Sequence, residues 1–149
     1  MIDSYGNIVS FSGEHRFLSN FFWPCIITLD GNHYPSVEHA YQASKTHDLN
    51  ERMEICRAYT PGAAKRLGQT VTKRGDWEIV KITIMRNLVG QKFDKPELHK
   101  LLHGTGLVML VEGNYWHDNF WGACRCKHCR GKEKRNELGK ILMDKRHEH

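Results

Sequence analysis

The chain has 149 residues, of which 40% are hydrophobic and 26% are charged, values that are ordinary for a soluble globular protein with one core. No apolar run approaches the roughly 20 residues that a membrane-spanning helix needs, and residues 1–6 lack the basic and apolar regions of a signal peptide. We therefore expect a cytoplasmic protein that has no membrane partner.

The net charge is +5 with neutral histidines, and the isoelectric point is about 9.0. This positive charge suits an anionic ligand such as a phosphate or a nucleic acid, although a solvated basic face is an equally good interpretation. The densest basic cluster runs from Arg125 to Arg135. The cysteines number five, and the odd count in a cytosolic setting argues against a disulfide framework.

The chain contains both strand and helix patterns, and it shows no internal repeat. Short apolar segments predict strands, at residues 8–11, 25–29, 32–34 and 107–111. Helical spacing and cap residues predict helices, at residues 37–47, 50–58, 61–68, 76–92, 96–103 and 135–145. Thr60 is the predicted cap of the third of these helices, and Pro61 is its predicted first residue. Asp30-Gly31 is the predicted turn of a hairpin, and Ser36 is the predicted N-cap of the first helix. These elements predict an α+β fold, a single compact domain over residues 1–149 with several helices around a small β-sheet.

The first predicted helix carries several polar residues. Residues three, four and seven apart share a helix face, which aligns Glu38 with Lys45. Tyr41 or Gln42 lies on the same face. A carboxylate and an amine that share a face can act as acid or base and as electrophile or nucleophile. A solvated polar face is the commoner result of this pattern, and periodicity alone favours it.

Two other segments place polar groups among apolar ones. Asn20 has large apolar neighbours, so we expect it to be partly buried, where an amide must find partners. A turn asparagine that bonds to the backbone is the alternative. Residues 112–122 combine aromatic, amide and acidic side chains, which can stack on a base, bind ribose hydroxyls and supply a carboxylate. An aromatic cap over the core is the less favoured interpretation of that segment.

Several motifs follow one another along nearly the whole chain. The main ones are Phe17-Leu18-Ser19-Asn20-Phe21, Tyr34-Pro35-Ser36-Val37-Glu38-His39, Tyr41-Gln42-Ala43-Ser44-Lys45, Asp118-Asn119-Phe120-Trp121-Gly122 and Asn136-Glu137-Leu138-Gly139-Lys140. In this order they resemble the NADAR superfamily, also called YbiA-like proteins. The resemblance implies a compact α+β domain that acts on nucleotide-like ligands.

The resemblance also implies an enzyme, a hydrolase acting on N-glycosyl bonds between a base, or a base-like amine, and a phosphorylated ribose. Members of the superfamily cleave phosphoribosyl intermediates of riboflavin synthesis, or remove ADP-ribose from modified guanine in nucleic acid. We therefore expect a ligand such as ADP-ribose or a ribose phosphate, with ADP-ribosylated nucleic acid as a further partner. No cofactor is expected to be required.

The matching positions supply the candidate site residues. The expected catalytic residues are Glu38, Lys45 and Asp118. The expected substrate-binding residues are Arg16, Asn20, Trp121, Gly122, Asn136 and Lys140. Either Glu38 or Asp118 would stabilise positive charge at the anomeric carbon, and Lys45 would alternatively attack the opened sugar as a Schiff base. The phosphate would be held by one of four residues, Arg16, Lys65, Arg66 or Lys140.

The chain departs from the family pattern in a basic loop at about residues 123–134. The loop contains three cysteines with C-x-C-x-x-C spacing, Cys124, Cys126 and Cys129. Thiolates at this spacing can hold a structural zinc, but a closed site needs four ligands. The fourth would be His117, His128 or a distant cysteine. Reduced thiols in a basic loop are the favoured interpretation, so we expect no metal.

Two other functions fit the same residues. A non-catalytic module that binds NAD or ADP-ribose would keep Trp121 and the phosphate-binding groups, but it would need no reactive carboxylate or lysine. A nucleic-acid-binding protein would use residues 125–135, and its binding would weaken steeply with salt. The joint presence of carboxylates and a lysine in the motifs favours the enzyme.

Overall fold

Helices make up most of the regular structure in the computed structural model, which describes residues 1–148. The elements fall into a central unit, residues 20–95, and a terminal unit, formed by residues 1–19 and those from 96 onward. Helices and short strands both occur, which confirms the α+β class. One domain over residues 1–149 stays a prediction, and His149 lies outside the described residues. Within residues 1–148, no helix has the length and hydropathy to span a membrane.

The central unit combines a hairpin with helices. Its strands are β1 (Ile27–Leu29) and β2 (Asn32–Tyr34), and its helices are α1 (Val37–Ser44), α2 (Leu49–Cys56), α3 (Pro61–Gly68) and α4 (Trp77–Asp94). The hairpin is antiparallel, as predicted. Asp30 and Gly31 have φ angles of 48° and 84°, and a two-residue turn with both residues left-handed is the kind that an Asp-Gly pair favours.

Cap residues determine where helices of the central unit begin. The Ser36 hydroxyl accepts a hydrogen bond of 3.0 Å from the N–H of His39, which confirms Ser36 as the N-cap of α1. The Thr60 hydroxyl caps α3 in the same way through the N–H of Ala63, at 3.0 Å. Pro61 then takes the first helical position, where its missing N–H costs nothing.

The terminal unit combines helices with a short parallel strand pair. Its elements are a 3-10 turn at Gly13–Leu18, α5 (Pro96–His103), β3 (Gly113–Asn114), β4 (Ala123–Cys124), a second 3-10 turn at Lys127–Cys129, and α6 (Glu137–His147). Since β3 and β4 pair side by side, residues 115–122 form the connection between them. All the predicted helices of both units form, with ends that shift by up to three residues.

Two predicted strands are wrong. Residues 8–11 and 107–111 contribute isolated bridges only, in which Ile8 pairs with Ile2 and with Leu110. The apolar composition of residues 107–111 indicated burial, yet Leu107 is 96% exposed and Leu110 alone in that run is buried. An apolar run of this length is ambiguous by pattern, and here the chain offers it too few backbone partners for a ladder.

A buried lysine lies near the C-terminal end of α4. Lys92 is 1% exposed, and its Nζ lies 5.3 Å from the ring centre of Phe22 and 5.1 Å from that of Phe93. Burial lowers the pKa of Lys92 to about 7, although Cys25 acts in the opposite direction. The charged form of this amine is therefore disfavoured in the folded protein.

This pKa makes stability depend on pH. Between pH 7 and pH 10.5 the unfolded chain binds a proton that folded Lys92 does not bind, so the free energy of unfolding rises with pH across this window. Lys92→Met removes the titrating group. We expect this variant to be more stable than the parent at pH 7, by on the order of a few kcal/mol, and to lose the advantage toward pH 10.5.

Urea denaturation at several pH values measures the difference. Lys100→Met, at an exposed position of α5, is the matched control and should show no such pH dependence. A constant difference between Lys92→Met and the parent at every pH would contradict the assignment.

Candidate active site

Helix α1 is buried along its whole length. Each of its eight residues is buried, including Glu38 and Gln42, which are 7% and 4% exposed. The interpretation of this helix as a solvated polar face is therefore wrong. A carboxylate is seldom buried unless other groups compensate for its lost hydration. The buried Glu38 is therefore a candidate for a specific function.

Glu38 is held in the first turn of α1 by neighbours in the central unit. Its Oε2 accepts a hydrogen bond of 3.2 Å from Gln42 Nε2, and its backbone N–H donates to the carbonyl oxygen of Asn20 at 3.1 Å. Asn20 is half-buried, as expected, and its Nδ2 donates to the Met85 sulfur at 3.5 Å, which is a weak acceptor. These contacts place Asn20 and Glu38 side by side.

Within residues 1–148, the side-chain amide of Gln42 has a hydrogen-bond partner for its nitrogen but none for its oxygen. Its Oε1 is buried without a hydrogen-bond partner among the described residues. A Cβ at Gly68 would lie 1.9 Å from this oxygen. The glycine therefore provides the space that the Gln42 amide needs in order to bond to Glu38. Buried polar atoms without partners are uncommon, and a ligand or a water that donates here would gain a hydrogen bond.

Lys45 follows the last turn of α1 and is half-buried. Burial lowers the pKa of its amine below the usual value, the negative charge of Glu38 partly offsets this, and Lys73, Lys65 and Lys81 lower the pKa further. A lysine with a lowered pKa can act as a nucleophile or a base. The same interactions indicate that the central unit gathers positive charge around Lys45.

Asp118 lies in the connection between β3 and β4, in the terminal unit. Its Oδ1 accepts hydrogen bonds from the N–H groups of Phe120 and Trp121, at 3.1 and 2.9 Å. Asp and Asn side chains often shape turns in this way. Asp118 therefore has a structural function in addition to the chemical role predicted for it.

Asn114 organises the same connection, and the sequence pattern gave it no individual role. It is 1% exposed, its Nδ2 donates to the carbonyl oxygen of Asp118 at 2.8 Å, and its Oδ1 accepts from the N–H groups of Trp116 and Asp118. A buried amide that bonds through both of its polar atoms holds a loop firmly. Its only signal in the sequence is its place just before the aromatic and acidic residues.

Trp121 and Gly122 end this connection. Trp121 is half-buried and meets the Phe120 ring edge-on, with ring centres 4.8 Å apart. Gly122 is buried, and a Cβ there would lie 2.0 Å from both the carbonyl oxygen and the Oε2 of Glu112. Gly122 thus permits a close approach of two backbone segments, and its contact with substrate stays a prediction.

Asn136 joins the start of α6 to the segment that precedes β3. Its Oδ1 accepts from the N–H of Glu112 at 3.0 Å, and its Nδ2 donates to the carbonyl oxygen of Leu110 at 2.9 Å. The residue adopts a left-handed conformation with a φ angle of 48°, which asparagine tolerates better than most residues. Both amide atoms thus support the fold, and a role in substrate binding stays a prediction.

The predicted site residues divide between the two units. The central unit brings together Asn20, Glu38 and Lys45, and the terminal unit holds Arg16, Asp118, Trp121, Gly122, Asn136 and Lys140. Arg16 is exposed, and Lys140 is exposed with its Nζ 3.5 Å from the carboxylate of Glu137. The terminal unit also contains candidate metal ligands, the side chains of His117, Cys124, Cys126 and Cys129, whose donor atoms lie within 4.8 Å of one another.

Comparison with known proteins gives consistent matches over nearly the whole chain. The NADAR domain model matches residues 10–148. The N-glycosidase YbiA of Escherichia coli is 39% identical over 98% of this chain and 89% of its own length. The NMR structure of the E. coli protein YbiA matches with a TM-score of 0.77 at 36% identity, covering 94% of this chain and 81% of that chain.

A riboflavin biosynthesis protein of Vibrio vulnificus is 40% identical over 91% of this chain, which spans only 36% of that longer protein. The name of the E. coli relative confirms the predicted enzyme class, a hydrolase acting on N-glycosyl bonds. The family model and the full-length relative agree with the ordered motifs of the sequence, and this chain belongs to the NADAR domain family.

Proposed function

We propose that this chain hydrolyses the N-glycosidic bond between a base, or a base-like amine, and a phosphorylated ribose. The observation that carries the proposal is the buried carboxylate of Glu38, which shares helix α1 with an unsatisfied amide oxygen on Gln42 and is followed by Lys45 with a lowered pKa. Perturbed titratable groups of this kind concentrate at functional sites.

The proposed chemistry uses Glu38 as the carboxylate beside the anomeric carbon. As the bond from this carbon to the nitrogen breaks, its electron pair leaves with the base, and positive charge builds on the sugar. A fixed carboxylate stabilises that charge more strongly than water does, because it sits in a site of low dielectric constant. Water then adds to the anomeric carbon, and its proton passes to a base such as the carboxylate or the departing amine.

Lys45 offers a second route to the same products. In this route the sugar ring opens with the base still attached to C1 as an iminium, and the neutral Lys45 amine adds to C1 and expels the base with its nitrogen. Water later hydrolyses the resulting Schiff base, which releases the sugar and restores the amine. Borohydride reduces such an intermediate and leaves the sugar phosphate bound to the protein. A mass increase that is absent in Lys45→Ala would favour this route over direct attack by water.

The positive charge of the central unit suits the phosphate of the ligand. Lys65, Lys73 and Lys81 all contribute positive charge at Lys45. Lys81 and Lys73 also pair with Glu78, at 2.6 and 3.5 Å. Lys65 Nζ lies 5.9 Å from the ring centre of Phe21. In the terminal unit we propose that Trp121 stacks on the ligand, while Arg16, Gly122, Asn136 and Lys140 remain candidates for ligand contacts.

Asp118 is proposed as a second carboxylate of the reaction, and matched substitutions separate this role from its turn-forming role. Asp118→Asn keeps an oxygen that can accept from Phe120 and Trp121 but removes the charge. Asp118→Ala removes both. We expect turnover to fall by about 10²-fold or more in Asp118→Asn with an unchanged melting temperature, and a further loss of roughly 1 kcal/mol of stability in Asp118→Ala. Turnover by Asp118→Asn at the parental rate would make Asp118 a positioning residue.

Two substrate classes remain, and we propose ADP-ribose linked to guanine in nucleic acid ahead of a free phosphoribosyl intermediate of the riboflavin route. The net charge of +5 supports the first class. The name of the Vibrio relative supports the second. Either substrate is a nucleotide-like anion, and both suit the cytoplasmic location that we propose, with no cofactor required for hydrolysis.

Incubation with one substrate of each class tests the function. Mass spectrometry would follow release of the sugar phosphate from an oligonucleotide that carries ADP-ribosyl-guanine and from a phosphoribosyl-aminopyrimidine. Release that is steeply salt-sensitive for the oligonucleotide alone would support the nucleic-acid class. Ligand that binds and is recovered unchanged from both incubations would instead establish a non-catalytic binding module.

A further inference from the structure

The basic loop of the terminal unit brings a histidine to three cysteines. His117 Nδ1 lies 3.2 Å from the sulfur of Cys126, 3.4 Å from that of Cys129 and 4.0 Å from that of Cys124. All four donor atoms lie within 4.8 Å of one another. The sequence spacing left the fourth ligand open, and the fold selects His117.

The nitrogen–sulfur distances suit a tetrahedral metal site. Zinc binds thiolate sulfur at about 2.3 Å and imidazole nitrogen at about 2.0 Å, so a regular tetrahedron separates nitrogen from sulfur by about 3.5 Å and two sulfurs by about 3.8 Å. The three nitrogen–sulfur distances in the cluster bracket the first of these values. The side chains are therefore already placed around one common centre.

The backbone around the cluster supports the same arrangement. His117 has a φ angle of 69°, a left-handed conformation that is uncommon outside glycine and that clusters at ligand sites. Its N–H donates to the Cys124 sulfur at 3.3 Å, and the N–H of Cys126 donates to the same sulfur at 3.5 Å. Donors around a ligand sulfur are the usual surroundings of a metal-bound thiolate.

We propose that His117, Cys124, Cys126 and Cys129 bind one structural zinc ion. Thiolate and imidazole ligands select zinc over the harder magnesium and calcium ions. Four protein ligands close the coordination sphere, so the site leaves no open position for a water and takes no part in catalysis.

Nearby charges favour the loaded site. Three thiolates and a divalent ion leave a net charge of roughly −1, and the surrounding loop carries basic side chains, at Arg125, Lys127, Arg130, Lys132 and Lys134. The basic loop thus has a local electrostatic function that needs no nucleic acid.

The zinc would fasten the segment that carries Asp118 and Trp121. His117 precedes these residues in the connection from β3, and Cys124 follows them in β4. A metal that joins His117 to Cys124 closes this connection at both ends. We therefore expect backbone amides of residues 115–122 to exchange hydrogen faster once zinc is removed.

The test measures metal directly, on protein without an affinity tag. Plasma mass spectrometry should find about one zinc per chain, and cobalt exchanged into the site should give the intense absorption of thiolate-to-cobalt charge transfer. Cys126→Ser should weaken zinc binding by about tenfold or more, because it removes a ligand at a half-exposed position. Cys56→Ser is the matched control, since the Cys56 thiol donates to the carbonyl oxygen of His33 away from the cluster.

A second variant keeps the proposal testable if Cys126→Ser fails to fold. His117→Cys should retain zinc in a four-cysteine site and strengthen the cobalt charge-transfer band. In the parent protein, zinc should also protect three thiols from alkylation until a chelator is added. The proposal is overturned if the parent protein takes up neither zinc nor cobalt, or if Cys126→Ser binds zinc with unaltered affinity. A disulfide within the cluster, in protein freshly isolated under reducing conditions, would also overturn it.

Discussion

Glu38→Gln should lower kcat/KM for hydrolysis of the N-glycoside by about 10²–10⁴-fold while the protein stays folded. Glutamine has nearly the same size, and its amide oxygen can still accept from Gln42 Nε2, so the packing of α1 is preserved. The variant lacks the negative charge that we assign to the stabilisation of the sugar cation. Steady-state kinetics and thermal unfolding of the same preparation measure both effects.

Glu54→Gln is the matched control for this substitution. Glu54 is an exposed glutamate of α2, so the same chemical change there should alter neither kcat/KM nor the melting temperature. If Glu38→Gln turned over at the parental rate, the carboxylate would have no part in the chemistry, and Lys45 or Asp118 would have to supply the whole effect.

Gly122→Ala should destabilise the protein by about 1–3 kcal/mol or more. A Cβ at this position would lie 2.0 Å from the carbonyl oxygen of Glu112 and 2.9 Å from Asn114 Nδ2. The carbonyl also accepts a hydrogen bond of 2.9 Å from the N–H of Ala123, so it cannot retreat without loss of that bond. Urea denaturation measures the difference in the free energy of unfolding.

Gly90→Ala makes the same chemical change, and we expect it to raise the free energy of unfolding instead of lowering it. Gly90 lies inside α4, and a Cβ there meets nothing within 4 Å. Alanine should therefore stabilise the protein by about 0.5–1 kcal/mol, because it forms helix more readily than glycine. Equal stability of the two variants would show that the close approach at Gly122 is not rigid.

The elements that sequence reasoning predicted well are those with local signals. Ser36 and Thr60 are caps, Pro61 marks a first turn, and Asp30-Gly31 directs the hairpin, so each of these boundaries depends on residues close in sequence. The helix spacing also aligned Glu38 with Gln42, and the hydrogen bond between these two side chains confirms that part of the alignment. Whether that face meets water or protein depends on distant segments, and here the burial of α1 made the favoured interpretation wrong.

The features that escaped sequence reasoning depend on contacts between distant residues. The pairing of β3 with β4 joins residues ten apart, Gly113 to Ala123, and each strand is too short to show a pattern. Residues 107–111 look like a buried strand by composition but find one bridge only. The choice of His117 over His128 beside the thiols depends on the path of the connecting segment, which the cysteine spacing does not encode.

Identification of both products of the purified protein tests the central claim most directly. Each of the two substrates would be incubated with the parent protein and with Glu38→Gln, and the base side and the sugar side would be identified by mass spectrometry. We expect one substrate to give a base that keeps its amine, together with a sugar phosphate bearing a hydroxyl at the anomeric carbon, and we expect Glu38→Gln to give neither. A deaminated base, or substrate recovered intact from the parent protein while still bound, would contradict the assignment as an N-glycosidase.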